Sequence, residues 1–254
     1  MKKNKLQKEY KDKTLAMYFE IAIIGSIICF VGDMLLGCFN PSGSKGMAKF
    51  FPAFSEEWSE VNAIRFVFGG ICGVVALLLI FLGFFAIYLL MEKWNTLYRK
   101  IFLISSFVFV AVGTLYHCVF AITAWLYNRL TNYNVICAKQ ISEEFFFTFI
   151  FVSALAAVGF AMLSFVMFIA TIKGVWSTAK WFILVNPILV MMLSIVLVKL
   201  LPQNAVFTGI FDWGQQSISL FVVFFIFKKM YLSKGIANNS HHRARRTDAE
   251  PMNL

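Results

Sequence analysis

Apolar residues in this chain come in long unbroken runs, not in the strict alternation of a strand or the single stripe of a surface helix. Six runs stand out: 15–36, 63–91, 101–127, 145–172, 181–201 and 209–227. Each is near or above the roughly 20 residues with which an α-helix crosses the hydrocarbon core of a bilayer. The pattern predicts an all-α, polytopic membrane protein with six transmembrane helices. A Lys-rich arm at 1–14 precedes the first span, the membrane domain covers 15–232, and a basic tail at 233–254 ends the chain. A polar stretch at 40–62 separates the first two spans. Its Phe54-Ser55-Glu56-Glu57-Trp58 segment predicts a short amphipathic helix at the membrane surface.

Composition sharpens this reading. Of 254 residues, 60% are hydrophobic and only 14% charged, against about 25% charged in an ordinary soluble domain. The surplus apolar surface needs lipid as its solvent. A net charge of +10 invites a nucleic-acid partner, but the cations sit in tails and short loops that flank apolar runs. No phosphate loop, zinc-finger spacing or recognition motif accompanies them, so no nucleic acid is expected as a partner.

The cations instead set an orientation. With both termini in the cytoplasm, 17 of the 23 Lys and Arg fall inside. Only Lys45, Lys49, Arg65, Arg129, Lys139 and Lys199 fall outside, as the positive-inside rule requires. The six tryptophans mark the same boundaries, with Trp58, Trp125 and Trp213 at outer ends and Trp94, Trp176 and Trp181 at inner ends. Interfacial positions favour an amphipathic ring. The expected location is the cell membrane.

Candidate chemistry lies where polar groups interrupt the apolar runs. An ionisable side chain deep in a bilayer costs roughly 2.5–3.5 kcal/mol even on lenient scales, so it needs a partner or a wet cavity. Asp33, His117 and Asp212 are such groups, and helix rise puts all three in the outer leaflet. Arg65 and Lys199 share that level and are expected as counter-ions to the carboxylates. Asp212, Gln215, Gln216 and Ser219 follow i, i+3, i+4, i+7 spacing, and Gly113, Thr114, His117 and Ala121 form a second stripe. Gly25, Cys29, Gly32 and Asp33 make a small-residue face on the first span. These faces are expected to converge on a ligand-binding pocket of Asp33, His117, Asp212, Gln215, Gln216, Arg65, Thr114 and Lys199. Asn186-Pro187 predicts a kink in the fifth span that the Asn side chain repairs. Against the pocket stands a plainer alternative, in which each polar group is glue between helices.

Five cysteines form no CxxC pair. Cys29, Cys72 and Cys118 read as small hydrophobes within spans, and Cys38 and Cys137 are the pair whose placement near the outer surface allows a disulfide. No cofactor is expected and no metal-ligand set is recognised. Thr114-Leu115-Tyr116-His117, with acidic residues on other helices, resembles ceramidase-type intramembrane hydrolases, which implies a lipid hydrolase. Those enzymes hold zinc with three histidines, whereas His117 is alone within these spans. The segments Gly32-Asp33-Met34-Leu35-Leu36 and Asp212-Trp213-Gly214-Gln215-Gln216 resemble those of uncharacterised six-helix bacterial membrane proteins. The leading expectation is therefore a pocket for a small polar ligand or a lipid headgroup, with a lipid hydrolase using His117 or a proton-coupled transporter as alternatives.

Overall fold

Long apolar runs fold here into long helices. The computed structural model describes residues 2–40, 55–176, 180–200 and 204–230, with the side chains of 2–9, 180, 195, 198 and 199 excepted. All regular structure among them is helical. The order is α1 (Lys2–Gly37), a 3-10 turn (Glu56–Ser59), α2 (Ile64–Leu90), α3 (Thr96–Asn132), α4 (Ala138–Thr148), α5 (Ile150–Ile172), a second 3-10 turn (Lys180–Val185) and α6 (Pro187–Leu200). The chain then runs through α7 (Ala205–Trp213), which becomes a π-helix from Thr208, and bends by 53° into α8 (Gln215–Met230).

Four of these helices, α1 from Tyr10 onward, α2, α3 and α5, are long and apolar enough to cross a membrane, and the bent pair α7–α8 makes a fifth if counted as one span. Large apolar side chains such as Leu78, Ile104, Phe107, Phe151 and Phe165 face outward. A helical bundle with so apolar a perimeter is suited to lipid, not water.

Close helix packing depends on glycine. A Cβ on Gly32 would lie 3.0 Å from both the Cys72 Cβ and the Gly69 carbonyl oxygen, so α1 and α2 approach almost backbone to backbone. Two apolar clusters follow. One, toward the Trp94 end, packs Phe19, Phe84, Phe102, Phe224 and Phe227. The other, at the Trp58 end, gathers Phe39, Phe66, Phe120 and Tyr127 around the Trp58 indole, which stands edge-on to Phe120 with centroids 5.4 Å apart.

The Trp58 end is tied by side-chain amides. Asn128 Nδ2 donates to the Trp58 and Val61 carbonyls at 2.6 and 2.8 Å, pinning the 3-10 turn onto α3. Asn40 donates its backbone N–H and its Nδ2 to the Glu57 carboxylate, and its Oδ1 accepts from Ala205 N at 3.0 Å. At the other end Lys11 meets Glu92 at 2.6 Å, and Lys228 meets Glu20 at 2.9 Å. The Lys11 hydrogen bond and charge hold the exposed Glu92 carboxyl below its ordinary pKa.

Several expectations change at this level. The Lys-rich arm ahead of the first span is itself helical and forms the first turns of α1. The fourth run is two helices, α4 and α5, joined at Phe149. The fifth is broken: Pro187 opens α6, where its missing N–H costs nothing, and the 14 residues of α6 reach only about 21 Å. Asn186 does repair the break, since its Oδ1 accepts from Ile188 N at 3.1 Å and its Nδ2 donates to the Ser164 carbonyl at 2.9 Å. Of the amphipathic surface helix at 54–58, only a short 3-10 turn lies in the described residues. Its Trp58 is buried in protein instead of anchoring at an interface, as is Trp176, whose Nε1 donates to Thr171 Oγ1. Residues 41–54 and 231–254, including the basic tail, lie outside the described residues.

Candidate functional site

Between the two apolar clusters lies a cavity of about 340 Å³. Its walls come from α1, α2, α3, α5, α6 and the α7–α8 bend. Leu77 and Phe109 belong to the first cluster, and Trp213 packs against the second. The polar lining includes Asp33, His117, Ser153, Asp212, Gln215, Gln216 and Ser217, with Cys29 and Tyr116 beside them. No Lys or Arg is among the described lining residues.

Each polar group has a local reason for its place. Cys29 and Asp33 are one helical turn apart on α1 and face the same way. Both are buried, at 6% and 5% exposure. The Ser217 hydroxyl donates to Asp33 Oδ2 at 2.6 Å, linking α8 to α1. His117 enters from α3, and its imidazole lies over Gly73 of α2 where a side chain would otherwise sit. The sulfur of Cys29, a carboxylate oxygen of Asp33 and a ring nitrogen of His117 all fall within 4.8 Å of one another.

The α7–α8 bend builds the opposite wall. The π-helix Thr208–Trp213 carries Asp212, and Gly214 donates its N–H to the Gly209 carbonyl at 2.8 Å where the chain turns. Local π-geometry is frequent where helices present functional groups. Gln215 opens α8. It is 8% exposed, and its Oε1 is buried without a hydrogen-bond partner. Leaving such an acceptor unmet costs about 1–3 kcal/mol. On α5, Ala157 both lines the cavity and is exposed at the bundle's flank, so the cavity reaches the perimeter there.

The structure thus brings five of the eight residues singled out from sequence to one cavity: Asp33, His117, Asp212, Gln215 and Gln216. Three are elsewhere or outside description. Arg65 is not a counter-ion. Its guanidinium donates to the carbonyls of Leu35, Met34 and Cys38 at 2.8, 3.2 and 3.4 Å and lies 4.2 Å from the Phe39 ring centroid, so it satisfies the C-terminal carbonyls of α1. Thr114 does not line the cavity; its hydroxyl donates to the Val110 carbonyl at 2.8 Å. Lys199 is on α6, with its side chain outside the described residues. The regular stripe of Asp212, Gln215, Gln216 and Ser219 is also altered by the bend, and Ser219 turns away to donate to the Val185 carbonyl. Cys38 and Cys137 are both free thiols.

Sequence reading placed Cys29 on the face of Asp33 only as a small residue, and it missed Ser217, because a thiol and a hydroxyl pass for small side chains in an apolar helix. The available signal was Cys29 at i−4 from Asp33.

A family model matches residues 1–234, nearly all of the chain. The chain belongs to the family of unknown function DUF6796. Comparisons of this DUF6796 member with curated proteins and with solved structures found no match.

Proposed function

We propose that this DUF6796 protein is a six-span protein of the cell membrane, both termini cytoplasmic, whose outer-leaflet cavity binds a small polar ligand or lipid headgroup rich in hydrogen-bond donors. The observation that carries the reading is the orphaned Gln215 Oε1 in a cavity that also holds the Asp212 carboxylate and no Lys or Arg among its described lining residues. An unmet acceptor beside a carboxylate, with no described cation to balance it, calls for a ligand that supplies O–H or N–H groups, an ammonium or a hydroxyl cluster, and disfavours a bare anion. The volume of about 340 Å³ is at the small end of the roughly 300–1,000 Å³ usual for ligand pockets. The exposed position of Ala157 gives a headgroup a lateral way in from lipid.

The six spans take the 3-10 turn Lys180–Val185 with α6 as one broken crossing and α7–α8 as another. Non-helical backbone is tolerated at membrane depth where it lines a cavity, and the α7–α8 bend does so. The orientation is supported by the sequence, in which 17 of the 23 cations fall on the cytoplasmic side of the six-span reading.

The test is native mass spectrometry of protein purified in mild detergent. Lipid-depleted protein is then refilled either from phosphatidylethanolamine vesicles or with free ethanolamine, which separates a lipid source from a soluble one. Gln215→Leu and Asp212→Asn should each lower occupancy about tenfold or more, since a hydrogen bond to a charged group is worth about 1.5–3 kcal/mol. Unchanged occupancy in both folded variants would sink the reading, and failure of both to insert would favour the glue alternative.

A further inference from the structure

We propose that Cys29, Asp33 and His117 form a binding site for a divalent transition-metal ion, zinc by ligand type, at the α1–α3 corner of the cavity. The inference rests on reading that cavity as a binding site and narrows what occupies one part of it.

Geometry comes first. One sulfur, one carboxylate oxygen and one ring nitrogen lie within 4.8 Å of each other. Three ligands around a tetrahedral zinc are roughly 3.3–3.8 Å apart, given metal–ligand bonds of about 2.0–2.3 Å. The atoms are thus at most about 1–1.5 Å farther apart than coordination requires. The ligands also come from two rigid elements. Cys29 and Asp33 share one turn of α1, and the missing side chain at Gly73 of α2 makes room for the His117 ring.

Charge is the second argument. A Cys29 thiolate and an Asp33 carboxylate would bring two negative charges into a buried, apolar place, where an unneutralised ion costs several kcal/mol or more. No Lys or Arg is among the described lining residues, and Arg65 is engaged with α1 carbonyls. A divalent cation that displaces the Cys29 thiol proton to solvent and is held by the resulting thiolate, the carboxylate and neutral imidazole leaves the corner with no net charge. Thiolate and imidazole select zinc over magnesium or calcium, whose sites are built from oxygen.

The surroundings fit a ligand shell. The Ser217 hydroxyl holds Asp33 Oδ2 at 2.6 Å, leaving the other carboxylate oxygen for coordination, which is the supporting role such partners have around metal ligands. Three protein ligands leave a fourth position for another ligand, and all three line the same cavity as Gln215 with its unmet Oε1.

Cobalt(II) titration of metal-stripped, detergent-purified full-length protein tests this, because a thiolate–cobalt bond gives a near-ultraviolet charge-transfer band that carboxylate or imidazole alone does not. The expected result is one cobalt per chain, a charge-transfer band, and displacement by zinc. Cys29→Ala should abolish the band and weaken binding at least tenfold, His117→Ala should weaken binding similarly, and Cys137→Ala should leave both unchanged. No cobalt or zinc bound by folded wild-type protein, or a band that survives Cys29→Ala, would overturn the proposal. The titration contains no lipid or ethanolamine, so its failure is separate from failure of the refilling assay.

Discussion

Gly73 is the residue on which the cavity's geometry turns. A Cβ there would overlap the His117 ring, one nitrogen of which already lies within 4.8 Å of the Cys29 sulfur and an Asp33 oxygen. Overpacking of this kind costs about 1–3 kcal/mol. Gly73→Ala should therefore lower the melting temperature in detergent and, by displacing His117, weaken cobalt binding, both read on the same preparation. Gly113→Ala is the control, since its added Cβ would meet only Leu77 Cδ1 at 3.2 Å. At this scale the sequence exposed every carboxylate and imidazole of the cavity, because a charge inside an apolar run is costly enough to stand out. Azimuth and self-satisfaction were hidden. Nothing in the order of residues reveals that Thr114 bonds back to Val110, or that Arg65 turns to the end of its neighbouring helix.

Elements that deviate from plain α-helix are the ones that shape the cavity. Apolar runs 63–91 and 101–127 became α2 and α3 almost as read, because a continuous apolar run with no Pro has a single good solution in lipid. The runs at 181–201 and 209–227 did not, and in each case a short-range signal outweighs hydropathy. Pro187 cannot extend a helix behind it, so a 3-10 turn ends and α6 begins there, with Asn186 as its cap. Gly209 and Gly214 frame the π-helix and the 53° bend. Losing the cap costs about 0.5–2 kcal/mol, and Asn186→Leu also leaves the Ser164 carbonyl without its side-chain donor. We expect Asn186→Leu to reduce the melting temperature clearly, with Pro187→Ala nearly neutral, as followed by circular dichroism at a helix wavelength.

For the whole molecule, the proposed orientation places Cys137 on the external face, exposed at the start of α4, while Cys29 is buried and the other cysteines are half-buried. A membrane-impermeant maleimide added to intact cells should label wild-type protein, and Cys137→Ser should remove most of that label. Labelling of Cys137 only after the membrane is opened would reverse the topology and place the cavity in the inner leaflet. The bundle was legible in sequence because excess apolar surface has one physical remedy. The identity of what fills the cavity was not, because ligand specificity resides in a few ångströms of side-chain placement that hydropathy does not encode.

The Asn40 side chain has a mechanical consequence at this scale. One amide grips the Glu57 turn and also the first residue of α7, two segments far apart in the chain. A shift of that turn is therefore coupled through one side chain to the element bearing Asp212, so that loop and chamber wall are joined rather than independent.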